Sequence, residues 1–290
     1  MKKLLITGTS GFLAARVRDY FLEDGGMEVL TPSHAELDIT SLDGCKAWFE
    51  QNRPDAVIHL AAMSEISDCA NHPEESRRVN TEGPRNLALC AKESGMTGRF
   101  LYASSDQVYT GNHTADRLNC ETDHLSPENL YAQEKLAAEE QVSAILPDAV
   151  AMRLDWMFDL KPGKMNYIKY AVKSVRGQTP NQYAVNELRA QTYAYEVAAN
   201  MKKMLLSDAK GGAYNFGGPA AGNSYETAVR VFDHIGKVLG LPVKGLVVPV
   251  TWERPQSLAM DQTKLNSVGL SFRNTVDSVA FCLERERAFL

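Results

Sequence analysis

The chain has 290 residues, 44% hydrophobic and 23% charged, which is the composition of an ordinary globular protein rather than a disordered or fibrous one. Its 31 basic and 36 acidic residues leave a formal net charge of −5, so the basic footprint of a nucleic-acid binder or of a protein drawn to an anionic membrane is excluded. That length makes one large domain or two modest ones and buries enough surface to need no disulfide staples.

The opening Met1 to Ile6 imitates a signal peptide, but Thr7-Gly8-Thr9 ends the apolar run too early for a secretory segment. In chain order, the pattern predicts a strand at Lys3–Thr7, a helix at Gly11–Leu22, a strand at Met27–Leu30, a helix at Leu42–Gln51 and a strand at Ala56–Leu60. A long helix follows from Pro73 to Ser94, with Pro84 expected to kink or break it. Then come a strand at Arg99–Ala103, a loop from Ser104 to Pro127, a helix to Leu146 and a strand at Ala149–Leu154. Strand and helix alternating at this cadence imply right-handed crossovers and a doubly wound parallel sheet of Rossmann type. The second half is less regular, with helices at Tyr193–Ser207, Tyr225–Leu239 and Val276–Phe289 and a short strand at Ala213–Phe216. The expected division is a dinucleotide-binding domain over 1–154 and a smaller α/β substrate-binding portion over 155–290, some of whose segments return to the first domain. No run approaches the roughly 18 apolar residues of a membrane span.

Five cysteines are scattered without a CxxC pair, and six histidines without an HxH or HxxxH pair. That usage suits a reducing cytoplasm and predicts neither a disulfide framework nor a metal centre.

Ile6-Thr7-Gly8-Thr9-Ser10-Gly11-Phe12-Leu13-Ala14 follows the first strand and opens the first helix. Small residues at 8, 11 and 14 allow a tight turn, close approach of a pyrophosphate and helix-on-strand packing, with the helix N–H groups aimed at the anion. Gly8, Ser10, Gly11, Phe12 and Leu13 are therefore candidate cofactor residues. A site for NAD would place Asp or Glu at the end of the second strand, about 20 residues on. Here that strand runs into Thr31-Pro32-Ser33-His34, which offers hydroxyls and an imidazole and no acid, so NADP is favoured with NAD left open. Asp38-Ile39 fits the adenine edge, although an aspartate there equally suits a helix cap.

Tyr131-Ala132-Gln133-Glu134-Lys135 opens a predicted helix, so the phenol and ammonium share a face. A cation within about 4 Å at an effective dielectric near 20 favours phenolate by roughly 4 kcal/mol, which is expected to bring Tyr131 toward its working range. Upstream, Ser104 and Ser105 lie just beyond the fourth strand, at the carboxyl edge of the sheet where ligands bind in such folds. Turn chemistry is the plain alternative for either serine alone.

With these three elements in order, the chain resembles the extended short-chain dehydrogenase/reductase family, in particular its dTDP-4-dehydrorhamnose reductase branch. His59-Leu60-Ala61-Ala62 resembles the segment lining the cofactor ribose, and Val79-Asn80-Thr81 the VNxxG motif. Ser104-Ser105-Asp106-Gln107-Val108-Tyr109 resembles STDYVF, Arg153 to Trp156 the RxxW motif, Lys164 to Tyr167 GxNF, and Arg254 to Leu265 the RPxxSxLDxxKL ending. The resemblance implies Ser105 as carbonyl-binding hydroxyl, Tyr131 as general acid, and Lys135 as its electrostatic partner and ribose ligand. It adds Leu60, Ala61, Ala62 and Asn80 to the cofactor site, and Ser104, Asp106, Gln107, Trp156, Asn166 and Arg254 to the substrate side.

The activity implied is hydride transfer from NADPH to a keto group of a nucleotide-sugar or related ketone. A regulatory subunit like the methionine adenosyltransferase β-subunit and a nucleotide-sugar epimerase are the alternatives. Homodimerisation is left open. Gln107 stands where sugar-nucleotide dehydratases carry Glu, which argues against dehydration, while Asp155 and Arg189-Ala190-Gln191-Thr192 depart from the reductase pattern. Arg254, Arg189 and Lys164 could meet a substrate diphosphate, or each could form a surface ion pair.

Overall fold

Leu4, Leu5 and Ile6 are completely buried, as an all-apolar run must be when helices cover both faces of a parallel sheet. In the computed structural model, which describes residues 2–114 and 116–290, that run is β1 (Lys3–Thr7). It is followed by α1 (Phe12–Asp24), β2 (Glu28–Leu30), α2 (Leu42–Asn52) and β3 (Ala56–His59). Next come α3 (Ile66–Asn71), α4 (Pro73–Arg77), a π-turn at Arg78–Glu82, α5 (Gly83–Glu93) and β4 (Phe100–Ser105). A 3-10 turn at Asp106–Tyr109 precedes α6 (Leu130–Ile145), β5 (Val150–Leu154), β6 (Trp156–Phe158) and α7 (Tyr167–Gly177). The chain then makes β7 (Asn181–Ala184), β8 (Glu187–Leu188), β9 (Gln191–Tyr193), α8 (Ala194–Leu206), β10 (Gly212–Phe216) and α9 (Ser224–Leu239). It ends with β11 (Val247–Val250), β12 (Gln256–Ser257), α10 (Thr263–Ser267) and α11 (Thr275–Arg285).

Among the described residues the central sheet has six strands in the order β10-β5-β4-β3-β1-β2. β1 runs parallel to both β2 and β3, with Leu5 opposite Leu30 on one side and Val57 on the other, and β3 runs parallel to β4. The strand order therefore reverses between β1 and β3, and ligands bind outside the carboxyl ends of strands at such a point.

The chain divides into two units. Residues 1–108, 125–153 and 198–214 form the first, and residues 109–124, 154–197 and 215–290 the second. In the first, Leu5, Phe49, Val57, Leu87 and Phe100 anchor one core cluster; burying side chains of this size is worth about 1.5–3 kcal/mol each. A buried ion pair also ties α6 to β5, because Arg153 donates to Glu139 through Nε at 3.0 Å and Nη2 at 2.7 Å. In the second unit, Phe158 stacks on Tyr193 at 5.8 Å and Tyr193 on Tyr195 at 5.9 Å. Its core includes Val231, Phe232 and Ile235 from α9. An Asn223/Glu226 capping box starts α9.

Several elements differ from expectation. The helix predicted from Pro73 to Ser94 is two α-helical pieces separated by the π-turn, with Pro84 in the first turn of α5, where its missing N–H is harmless. β4 runs two residues further than predicted, so Ser104 and Ser105 end a strand rather than begin a loop. In the second half, α7 and most of the two- to four-residue strands had no counterpart in the predicted pattern.

Gly211 shows how tightly the sheet edge is packed. A Cβ there would sit 2.0 Å from Pro147 O and 2.6 Å from Asp148 Cα, both backbone atoms. We expect Gly211→Ala to lower the urea-unfolding free energy by about 2 kcal/mol, as overpacking against an unyielding neighbour does.

Candidate active site

Gly8 adopts φ +77°, and a Cβ at this position would lie 2.7 Å from both Cα and N of Ala61. Glycine is thus required on two counts, a left-handed backbone and direct contact with the segment after β3. Gly11 N–H donates to Gly8 O at 2.8 Å, closing the turn. Gly11 is also the N-cap of α1, and no side chain caps that helix. Ser41, Asn129, Asn223 and Asn274 cap α2, α6, α9 and α11 with their side chains, whereas α3, α4, α5, α7 and α10, like α1, carry no such cap. The first N–H groups of α1, beside exposed Ser10 and half-buried Phe12, fit the pyrophosphate of a dinucleotide. Leu13 is buried and holds the helix onto the sheet.

The segment after β3 is fixed by Thr7. Its Oγ1 accepts from Leu60 N at 3.1 Å and Ala61 N at 3.3 Å and donates to His59 Nδ1 at 2.7 Å. With Nδ1 as acceptor, the proton of the neutral ring sits on Nε2. Asn80, on the π-turn, accepts from Met63 N at 3.0 Å and donates to Met63 O at 2.9 Å, so it holds the same segment just beyond Ala62.

Past β2, the stretch Thr31-Pro32-Ser33-His34 carries no acid, and the first acid beyond it is already bonded within the loop. Glu36 folds back and accepts from Ser33 N at 2.8 Å and Ser33 Oγ at 2.7 Å, and these bonds hold its carboxyl below the usual range. His34 Nε2 lies 3.8 Å from Asp38 Oδ1. Asp38 accepts from Thr40 N and Oγ1 at 2.9 and 2.8 Å, while Ser41 rather than Asp38 caps α2. Ile39 is buried, and its backbone O accepts from Asn86 Nδ2 at 3.0 Å.

Asn129 caps α6 through Ala132 N at 2.9 Å and donates to Gln107 Oε1 at 3.3 Å. One turn on, the Lys135 Nζ donates to Ala103 O at 3.1 Å and lies 5.7 Å from the centroid of the Tyr131 ring. The pair is together, but its electrostatics differ from the sequence expectation. Burial raises the phenol well above its ordinary value, the Ser105 hydroxyl bonding to it pulls the other way, and the Asp106 and Cys69 charges add to the rise. Lys135 is not what sets the phenol, because its ammonium is turned onto the Ala103 carbonyl. Lys135 itself is pushed down to about 8 by burial, against the Cys69, Glu134 and Glu139 charges. At neutral pH the arrangement therefore offers a protonated phenol, a serine hydroxyl and a nearby ammonium.

Ser104, Asp106 and Gln107 sit beside this pair but are already engaged. Ser104 donates to Glu139 Oε1 at 2.5 Å, Ser105 to Asp106 Oδ1 at 3.2 Å, and Gln107 Nε2 to the same oxygen at 3.4 Å. Trp156, Asn166 and Arg254 belong to the second unit. Trp156 is exposed with the Arg189 guanidinium stacked at 4.4 Å, Asn166 donates to Asp159 O at 2.9 Å, and Arg254 is exposed. Asp155 accepts from Thr192 Oγ1 at 2.6 Å, and Thr192 in turn accepts from Gly218 N at 2.6 Å, which gives two of the departures a structural use.

Sequence reasoning missed the Thr7–His59 bond, the Glu139–Arg153 pair and the buried carboxylate of Glu134. Only the Asn129 cap carried a readable signal, an Asn just ahead of a helical pattern.

A parallel sheet that switches direction at β1/β3, a glycine turn leading into an uncapped helix, and a Ser/Tyr/Lys cluster on β4 and α6 define a protein of the short-chain dehydrogenase/reductase type. More particularly, the model of the RmlD substrate binding domain family matches residues 1–287, and the chain belongs to that family. A dTDP-4-dehydrorhamnose reductase of Aggregatibacter actinomycetemcomitans is 25% identical over 277 residues, covering 91% of this chain and 92% of the relative. A solved dTDP-4-dehydrorhamnose reductase from Clostridium acetobutylicum superposes with a TM-score of 0.84 at 23% identity, covering 98% of this chain and 99% of that one. One from Bacillus anthracis, in complex with NADP, gives 0.83 at 20% identity, covering 98% and 100%. No helix among the described residues is long and apolar enough to cross a membrane.

His59 generates a pH prediction. Complete burial pushes its imidazole down from 6.5 to about 3. The unfolded chain takes up that proton first, so the contribution is intact above pH 6.5 and is lost as pH falls toward 3, by about 1.4 kcal/mol per unit. Urea unfolding between pH 6.5 and 4 is expected to show a shallower loss of stability in His59→Gln than in the wild type.

Proposed function

We propose that the protein is an NADP-dependent reductase that adds hydride to the keto group of a nucleotide-sugar of the dTDP-4-dehydrorhamnose kind. The observation that carries this reading is the Tyr131 phenol, protonated by burial, bonded to Ser105 and flanked by the Lys135 ammonium. Family membership over residues 1–287 supports the substrate class.

Bound NADPH supplies the hydride. The N-terminus of α1 and the Gly8 turn would hold the pyrophosphate, and Leu60, Ala61 and Ala62 would line the ribose, with Lys135 as its donor. The Ser105 hydroxyl orients and polarises the carbonyl oxygen. Tyr131 gives its proton to the oxygen as negative charge develops there, a role for which a high pKa in the resting site is the right setting because the acid form is the one poised. Lys135 then stabilises the phenolate left behind. Trp156, Asn166 and Arg254 are the proposed contacts of the sugar nucleotide. NAD is the alternative cofactor. The setting we infer is cytoplasmic, from five free thiols.

Tyr131→Phe removes the proton donor and leaves the glycine turn intact. Its kcat with dTDP-4-dehydrorhamnose should fall by about 10²–10⁴-fold, with the NADPH dissociation constant unchanged. Undiminished turnover in this variant rules out the assigned acid, and NADPH binding without wild-type turnover on any ketone rules out the reductase.

A further inference from the structure

Glu134 lies between the paired residues in sequence but is not a solvated helix position. It is 4% exposed, and its Oε2 accepts from Ser76 Oγ at 2.5 Å and Asn80 Nδ2 at 3.0 Å. Its Oε1 is buried without a hydrogen-bond partner among the described residues. The Glu134 backbone O accepts from Thr81 Oγ1 at 3.2 Å. Three consecutive contacts of one helix position thus fall on Ser76, Asn80 and Thr81, where the π-turn brings successive residues 80 and 81 toward α6. π-turns of this kind are concentrated at functional sites.

Asn80 has two amide protons, and the shortest bonds assign one to Met63 O and the other to Glu134 Oε2. The carboxylate therefore completes a chain of bonds from α6, through Asn80, to the segment that packs against Gly8. A neutral acceptor would serve that anchoring alone. What a carboxylate adds is a negative charge in a desolvated region next to Lys135.

We propose that Glu134 is a positioning residue for Lys135: one buried carboxylate fastens the helix of the Tyr/Lys pair to Asn80 and keeps compensating charge beside the ammonium. The Tyr131 ring lies against Lys135, and the groups acting on it electrostatically are Cys69 of α3, His59 at the end of β3, and Glu134 and Glu139 of α6. Asp106 acts on Tyr131, and Arg153 of β5 neutralises Glu139 through a bidentate pair. Of the two α6 acids that act on Lys135, that pairing leaves Glu134 as the one not matched by a guanidinium. Burial drives the ammonium toward its neutral form and the Glu134 charge opposes this, so losing the charge should cost Lys135 its proton at a lower pH.

The inference rests on Lys135 binding the cofactor ribose in the proposed reductase, so the experiment reads cofactor binding separately from turnover. NADPH dissociation constants are measured from pH 6 to 10 for the wild type, Glu134→Gln, Glu134→Ser and Glu134→Asp. The wild type should lose affinity above about pH 8. Both neutral variants should lose it about one pH unit earlier, and the Asp variant, which keeps the charge, should restore the wild-type profile. The Gln and Ser variants differ in shape and share only the lost charge, so either one that folds is decisive. Profiles that superimpose on the wild type overturn the proposal, as does a wild type with no alkaline loss. A shifted binding profile in a protein that reduces no ketone leaves the inference standing and removes the reductase reading alone. Failure of the wild type to bind NADPH at all overturns both.

Discussion

Desolvation of a phenol and an amine set one helical turn apart is the condition on which the site depends. Each group, buried alone, is driven to its neutral form, so the phenol rises and the amine falls. The two groups have similar proton affinities in water and burial drives them apart, so the resting proton stays on the phenol. The helix that carries them must then be held rigidly while it presents a polar face to the protein interior. It manages this with acids: Glu139 is satisfied by Ser104 and Arg153, and Glu134 is held through one oxygen by Ser76 and Asn80. A buried ion pair contributes little net stability, but removing one partner alone costs about 3–5 kcal/mol, so such pairs fix geometry more than they add energy.

The cofactor side follows a complementary rule. Where a ligand must sit, the chain leaves its own backbone groups unsatisfied, as at the start of α1. Where the scaffold must hold, side chains saturate them, as Thr7 does for Leu60 and Ala61 and as Asn80 does for Met63. Sequence alone shows a glycine turn, but only the contact of Gly8 with Ala61 shows why the turn and the segment after β3 move as one piece.

What could be read from the sequence tracks how far each interaction reaches. β1, β3 and β4 are runs of apolar residues between turn signals, and the glycine turn and Tyr/Lys spacing are local, so all were visible. The π-turn has no local signature, since Arg78 to Glu82 reads as ordinary helix and only tertiary contact with α6 selects the wider turn. Glu134 and Glu139 read as solvated helix acids because nothing nearby in sequence indicates that Ser76 or Arg153 will cover them. The short strands of the second unit, two to four residues long, hold too few side chains for a period to show. The expectation that Lys135 would acidify Tyr131 was built on charge alone. Burial outweighed it, and the Ala103 carbonyl drew the ammonium away.

The path of residues 198–214 has a consequence for the polypeptide as a whole. α8 from Ala198 onward and the first three residues of β10 belong to the first unit, and β10 closes the sheet beside β5. A fragment ending after β5 would have the dinucleotide-binding motifs in full yet leave that strand with a bare row of amides and carbonyls, open to pairing with any other chain. The nucleotide half is thus sealed by sequence that emerges from the ribosome some sixty residues later. Premature termination in that interval would yield a sticky product rather than a smaller working domain.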